Sequence, residues 1–170
     1  MATRKTDEDQ IRKLVEGDLG WNELQQEVMP DPKDPNRFEV LREILQERVE
    51  FEEPILVPLN DHLFVVGADD GRVIKGECGH EFCDSDENWR EHSGIIVLDE
   101  EEEWAKLHSK DQSPDPYWQQ QLRQYICPEC KQQIAVDAVP VGYPPLRKFD
   151  PDIDTFYEEW LAEPAPDKAD

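Results

Sequence analysis

The spacing of apolar residues predicts that the first 50 residues are mainly helical. Apolar side chains recur there at i, i+3 and i+4, which places them on one face of a helix. Three groups follow this spacing: Ile11, Leu14 and Val15; Trp21, Leu24 and Val28; and Phe38, Leu41, Ile44, Leu45 and Val49. The third helix follows Asp34 and Pro35, which suit an N-cap and the first helical position.

β-Strand patterns begin after these helices. Residues 63–66 and 73–75 are rich in apolar, β-branched side chains, and residues 69–71 between them carry the Asp-Gly turn signal of a hairpin. Residues 95–98 are all apolar and predict a further, buried strand. Residues 134–138 predict another strand from their alternating pattern.

Further helices are predicted in the second half of the chain. A short one covers residues 104–108 and follows the acidic run at 99–103, since carboxylates favour a helix N-terminus. Another covers residues 117–125. The last is capped by Asp154 and carries Phe156, Tyr157, Trp160 and Leu161. The tail at 163–170 shows no core-forming residues and is expected to be a disordered end or a strap.

The charge of the chain limits its partners. The 170 residues contain 41 acidic and 18 basic side chains, which gives a formal net charge of −23. Nucleic acids and anionic membranes attract basic surfaces, so neither is an expected partner. The N-terminal residues lack the apolar region of a signal peptide, and no apolar run approaches the ~18 residues of a membrane helix. We therefore expect a cytoplasmic protein.

The four cysteines form two compact clusters, and these give the strongest chemical signal. Cys78 and Cys83 lie in a C-x-H-x-x-C segment, and Cys127 and Cys130 form a C-x-x-C knuckle. In a reducing compartment such pairs favour a metal over disulfides, and two thiolate pairs match the four ligands of tetrahedral zinc. A disulfide, a redox pair and an iron–sulfur cluster are less favoured alternatives.

The fourth zinc ligand stays open between two residues. Cys78, Cys127 and Cys130 belong to both ligand sets, and either Cys83 or His80 completes the tetrahedron. Both sets leave no coordination position for water, so the zinc is expected to stabilise the fold and not to perform catalysis.

Catalytic signatures are absent from the sequence. There is no glycine-rich phosphate loop, no G-x-S-x-G and no H-E-x-x-H motif. His62, His92 and His108 are isolated along the chain and fit surface or local hydrogen-bonding roles. The helices instead carry many aromatic residues, which are either typical interface anchors or part of the chain's own core. These are Trp21, Phe38, Trp104, Trp118, Phe156, Tyr157 and Trp160. The residues thus indicate a metal-stabilised interaction protein without an active site.

Several segments, taken in order, resemble the small gamma subunit of acetone carboxylase. They are DPKDPNRF (31–38), EILQER (43–48), CGHEFCD (78–84), ENW (87–89), YICPEC (125–130), FDPDI (149–153) and FYEEWL (156–161). The resemblance implies a bacterial enzyme with two alpha, two beta and two gamma subunits. Such an enzyme uses ATP to convert acetone and bicarbonate into acetoacetate, with AMP and phosphate as products. The resemblance further implies that manganese and the nucleotide belong to the large subunits and that the gamma chain is a zinc-bearing accessory.

Two alternatives to this function are a small subunit of the related acetophenone carboxylase and a stand-alone zinc-ribbon adaptor. In each case the expected fold is α+β, with a small antiparallel sheet and zinc-ribbon-like knuckles between N-terminal and C-terminal helices. We expect three segments: a helical one at 1–53, a zinc-bound β-rich domain at 54–148, and a helix with a tail at 149–170.

Overall fold

A computed structural model describes residues 7–29, 36–100, 102, 103, 106 and 120–168. The described strands form two antiparallel sheets, one of four strands and one of three. Helices precede the first sheet and follow the second. The expected α+β class is therefore confirmed, with two small sheets in place of one. None of the described helices is long and apolar enough to cross a membrane.

The N-terminal helices confirm the three helical groups expected from the apolar spacing, except that Val49 lies beyond the end of the third helix. They are α1 (Glu8–Glu16), α2 (Trp21–Glu23) with a following π-helical turn (Leu24–Val28), and α3 (Arg37–Gln46). Helix α1 begins where the Asp7 carboxylate accepts a hydrogen bond from the Asp9 backbone N–H, and it ends at a left-handed Gly17. Helix α3 follows Asn36, while the expected start at Asp34 and Pro35 lies outside the described residues.

The first sheet is a meander in which each strand pairs with the next. Its strands are β1 (Ile55–Asn60), β2 (Leu63–Ala68), β3 (Gly71–Gly76) and β4 (Glu81–Asp84). Strands β2 and β3 pair without interruption from Leu63 opposite Gly76 to Ala68 opposite Gly71. The hairpin expected from the Asp-Gly turn signal is confirmed.

The second sheet contains β5 (Gly94–Leu98), β6 (Gln120–Ile126) and β7 (Gln133–Pro140), in that order. The helix expected at 117–125 is wrong for its described part, because residues 120–125 lie in β6. Every second side chain of β6 is buried, namely Gln121, Arg123 and Tyr125. That period of two belongs to a strand, and pairing with both neighbours outweighs the helical preference of its Gln, Leu and Arg residues.

The strand expected at 95–98 is confirmed, but its expected burial is wrong. These residues belong to β5, but Ile95, Ile96 and Val97 are each 42% exposed. Strand β5 lies at the edge of its sheet and pairs only with β6 among the described strands, so its side chains are covered incompletely.

The C-terminal segment begins with α4 (Ile153–Thr155), which continues as a π-helical turn (Phe156–Leu161). The N-cap is Asp152, whose carboxylate accepts from the Thr155 backbone N–H at 3.1 Å. The expected cap, Asp154, is wrong because that residue already lies inside the helix, where its carboxylate accepts a hydrogen bond from Arg72 at 2.7 Å.

Tyr157 attaches this segment to the first sheet. Its side chain is 1% exposed, and its hydroxyl donates to the Leu56 carbonyl at 2.9 Å. The main core surrounds it and draws residues from both sheets and the C-terminal segment: Leu56, Val57, Leu63, Val65, Ile74, Phe82, Cys83, Trp89, Tyr125, Cys127, Ile153, Tyr157 and Ala165. One core therefore joins the two sheets.

The described part of the tail is a strap across the first sheet. Ala165 is 2% exposed and belongs to the core, so the expectation of a tail without core-forming residues is wrong. Two residues further on, the Asp167 carboxylate accepts a hydrogen bond from Arg72 Nε at 2.6 Å. Gly67 of β2 makes room for this contact, since a Cβ atom there would lie 2.6 Å from Asp167 Cβ.

The helix-borne aromatic residues divide between the core and the surface. Trp21 and Trp160 are 65% and 77% exposed, whereas Tyr157 is buried. Phe38 of α3 packs edge-on against Phe156, with ring centroids 4.9 Å apart. Trp104 and Trp118 lie outside the described residues. Two of the expected interface anchors are thus available on the surface.

Candidate metal centre

Three cysteine thiols meet where the two sheets approach each other. Cys78 follows the end of β3, Cys127 follows β6, and Cys130 lies in the turn between β6 and β7. Their sulfur atoms lie within 4.8 Å of one another, and the Cys78 and Cys127 sulfurs are 3.7 Å apart. Sulfurs bound ~2.3 Å from a tetrahedral zinc would be about 3.8 Å apart. The Cys78–Cys127 separation therefore matches one edge of a zinc tetrahedron, and all three sulfurs lie close enough to share one metal ion.

Similar turns position Cys78 and Cys130. Gly79 and Lys131, the residues directly after these cysteines, have left-handed backbones with φ values of 79° and 66°. This conformation brings the backbone N–H two residues after each cysteine to its sulfur, from His80 to Cys78 and from Gln132 to Cys130. Such N–H groups stabilise a thiolate, so both turns are suited to metal-bound sulfur.

The thiols have different proton affinities. The Gln132 N–H lowers the pKa of the Cys130 thiol, while burial raises the pKa of Cys78 to about 11. A thiol must lose its proton to bind a metal, so metal binding at this site releases protons. The affinity of the site for a metal is therefore expected to fall as the pH falls.

Cys83 lies apart from the three thiols. It stands opposite Ile74 in the β3–β4 pair and belongs to the main core. Its sulfur is grouped with the side chains of Glu87 and His92, and burial raises its pKa to about 11. In this environment Cys83 is a protonated core residue.

The imidazole of His80 also lies outside the group of three thiols. Its Nδ1 atom is 3.5 Å from Glu129 Oε2, and its ring packs edge-on against Phe82 at 4.8 Å. Its backbone N–H, in contrast, bonds to the Cys78 sulfur. Of the five candidate ligand side chains, the structure thus brings together those of Cys78, Cys127 and Cys130.

A cavity of about 420 Å³ opens beside the three thiols. Its lining includes the three cysteines together with Arg48, Glu50, His62, Gly76, Glu77, Gln132 and Ile134. His62 Nδ1 lies 2.8 Å from Glu77 Oε2. His62 is isolated along the sequence, but the fold brings it to Glu77. The register of the β2–β3 hairpin predicts this contact. Pairing Leu63 with Gly76 places the preceding residue, His62, beside Glu77 and Cys78.

Comparison with known proteins identifies the family. A family model described as "Acetone carboxylase gamma subunit" matches residues 49–161. A relative from Xanthobacter autotrophicus, named acetone carboxylase gamma subunit, is 38% identical over 162 residues, which cover 94% of this chain and 95% of the relative. The chain belongs to the acetone carboxylase gamma subunit family.

The region that matches the gamma subunit family model contains both sheets and all four cysteines. It ends at Leu161, the last residue of the C-terminal π-helical turn, and leaves out α1 to α3. The match to the Xanthobacter autotrophicus gamma subunit is longer and covers nearly all of the chain. The resemblance drawn from the ordered sequence segments is confirmed.

Proposed function

We propose that this chain is the accessory gamma subunit of a cytoplasmic, ATP-dependent acetone carboxylase. That enzyme would convert acetone and bicarbonate into acetoacetate, with ATP giving AMP and phosphate. The observation that carries the proposal is the 38% identity to a named gamma subunit over nearly the full length of both chains. The proposed assembly contains two copies each of alpha, beta and gamma, with ATP and manganese held by the large subunits.

Zinc at Cys78, Cys127 and Cys130 is the proposed cofactor of this chain. Thiolates favour zinc or iron–sulfur clusters over the harder cations Mg²⁺, Ca²⁺ and Mn²⁺. The three ligands come from the end of the first sheet and from the β6–β7 turn of the second. A metal bound there links the two sheets, so its binding free energy contributes to folding. This supports a structural role for the metal.

Co-purification tests the proposed assembly. A tagged chain, expressed with its neighbouring genes, should retain two larger subunits in a 1:1:1 ratio, as the proposed composition requires. The purified complex should hydrolyse ATP in the presence of acetone and bicarbonate but not without acetone. Stimulation by acetophenone in place of acetone would assign the chain to the related aromatic-ketone enzyme. A stable chain that retains no larger subunit would support a stand-alone adaptor.

The non-catalytic role has a separate test in the assembled complex. Asp84, Asp86 and Glu87, the acidic residues that follow Cys83 along the chain, are replaced by Ala one at a time, and acetone-dependent turnover is measured with assembly verified by size-exclusion chromatography. Each variant should change turnover by no more than a few-fold. Loss of a general acid or base costs ~10²–10⁴-fold, and a loss of that size would show that this chain takes part in the chemistry.

A further inference from the structure

We propose that His62 is the fourth ligand of the metal centre and that Glu77 orients its imidazole. The inference rests on the proposed metal site at Cys78, Cys127 and Cys130. It adds one ligand and one supporting carboxylate to that site. Neither residue lies in the cysteine clusters that sequence spacing singles out.

The cavity beside the thiols limits which side chains can complete the tetrahedron. Among the described residues with metal-binding side chains, His62, Glu50 and Glu77 line it together with the three cysteines. Three thiolates already outweigh the two positive charges of zinc. A carboxylate ligand would add more negative charge, whereas a neutral imidazole adds none, and imidazole is a common zinc ligand beside thiolates.

The contact between His62 and Glu77 resembles the support that metal-bound histidines receive. Metal-ligating histidines usually donate their second ring N–H to a carboxylate or carbonyl, which fixes the tautomer and the ring orientation. Here Glu77 Oε2 lies 2.8 Å from His62 Nδ1, so that Nε2 is the nitrogen left for the metal. The other oxygen of Glu77 accepts a hydrogen bond from Arg48 at 3.5 Å, which helps to hold the carboxylate in place.

The fold places this pair next to a ligand cysteine. His62 directly precedes β2, and its backbone N–H donates to Asn60 Oδ1 at 2.9 Å. Glu77 directly precedes Cys78, and the pairing of Leu63 with Gly76 sets the two chain segments side by side. The His62 ring nitrogens lie outside the 4.8 Å group of thiols, so ligation requires the ring to move towards the sulfurs while Nδ1 keeps its contact with Glu77. The cavity of about 420 Å³ gives the ring space to move.

The two ligands considered from sequence fit the position less well. The Cys83 thiol is grouped with Glu87 and His92 in place of the three metal-site thiols. His80 contributes its backbone N–H to the Cys78 sulfur, and its imidazole lies between Phe82 and Glu129. The His80 ring would have to leave both of these contacts to reach the metal, and it is not among the side chains that line the cavity beside the thiols.

X-ray absorption at the zinc edge tests the proposal on the full-length chain as it purifies, with its zinc content measured in parallel. The wild-type spectrum should require three sulfurs and one imidazole nitrogen. His62→Ala should lose the imidazole scattering and weaken zinc binding in competition with a chromophoric chelator. Glu77→Gln should keep the imidazole but lower zinc affinity by about 10–100-fold, the usual effect of removing such a supporting partner.

His92→Ala is the matched control, since His92 also bonds a carboxylate, with its Nε2 atom 3.0 Å from Glu87 Oε2. This variant and His80→Ala should leave the spectrum and the zinc affinity unchanged. A wild-type spectrum with four sulfurs, or with an oxygen in place of imidazole, overturns the proposal even if the His62 variant does not fold. Loss of the imidazole signal in His80→Ala also overturns it. A chain without stoichiometric zinc contradicts the metal centre of the proposed function itself, which separates that failure from a wrong fourth ligand.

Discussion

Two buried tyrosines offer a matched test of what a single hydroxyl contributes to this fold. Tyr157 and Tyr125 are 1% and 0% exposed and belong to the same core. The Tyr157 hydroxyl donates to the Leu56 carbonyl, whereas the Tyr125 hydroxyl has no hydrogen-bond partner within the described part of the chain. Replacing each tyrosine with Phe removes one oxygen and leaves the packing of the ring in place.

The two changes should have opposite consequences. Leu56 is 0% exposed and lies at a register shift of β1, between the paired residues Ile55 and Val57. Without the Tyr157 hydroxyl its carbonyl would remain buried without that hydrogen bond, and an unsatisfied buried polar group costs about 1–3 kcal/mol. Tyr157→Phe should therefore lower the free energy of unfolding by roughly that amount. Tyr125→Phe removes an unsatisfied hydroxyl, so the same free energy should stay constant or rise.

Equilibrium unfolding in urea, followed by far-ultraviolet circular dichroism with saturating zinc, measures both free energies. A loss of ~1–3 kcal/mol is a large part of the 5–15 kcal/mol that stabilises a typical domain, so the midpoint should move clearly. In a chain of this size each kcal/mol corresponds to about 2–4 °C in Tm. Equal stabilities of the two variants would refute the assigned role of the Leu56 contact. A destabilised Tyr125→Phe chain would show that this hydroxyl has a partner.

Three further predictions concern the thiols and the exposed surface. Cys127→Ser should lose both zinc and cooperative unfolding, because Cys127 is a core residue as well as a proposed ligand. Metal analysis and calorimetry would measure the two losses, and retained zinc would contradict the ligand role of Cys127. Burial raises the pKa of Cys83 from 9.0 to about 11, so the fold favours the protonated thiol. Stability of the zinc-bound chain should therefore be intact below pH 9.0 and fall as the pH rises towards about 11. Cys83→Ala should reduce that fall in urea titrations at several pH values, and an unchanged pH profile would assign it to other groups. Trp160→Ala should weaken binding to the large subunits in size-exclusion chromatography, because Trp160 is 77% exposed, yet leave stability within about 0.5 kcal/mol. Replacing the buried Trp89 with Ala should instead lower the free energy of unfolding by about 3–5 kcal/mol. Full assembly of the Trp160→Ala chain would argue against an interface anchor at Trp160.

Local patterns predicted the parts of the fold that depend on nearby residues. The Asp-Gly turn signal determines a hairpin through its own geometry, and β2 and β3 pair as that signal indicates. The apolar spacing of α1 and α3 likewise reflects a single helix face against the core. The meeting of the Cys78, Cys127 and Cys130 thiols is predicted by their close spacing in two short clusters, which is typical of metal-binding turns.

Contacts between distant segments account for the errors. Residues 120–125 have helix-forming side chains, but they become a strand because β5 and β7 lie on either side. Ile95, Ile96 and Val97 are apolar, but their strand lies at a sheet edge, which no local pattern reveals. His62 and Glu77 are 15 residues apart, and their contact arises from strand pairing. The sequence predicts this contact only if the strand pairing of the hairpin is continued past Leu63 and Gly76, at the end away from the turn.

The pairing of β5 with β6 has a consequence for protein engineering. Leu98 stands opposite Leu122 at one end of this pair, so the sheet itself holds together the two ends of the intervening segment. The closure entropy of a loop grows slowly with its length, by about 0.6 kcal/mol for each doubling. Because the pairing from Gly94 opposite Ile126 to Leu98 opposite Leu122 fixes the register of β5 and β6, an engineered change in chain length between the two strands should leave Cys127 in place at the end of β6.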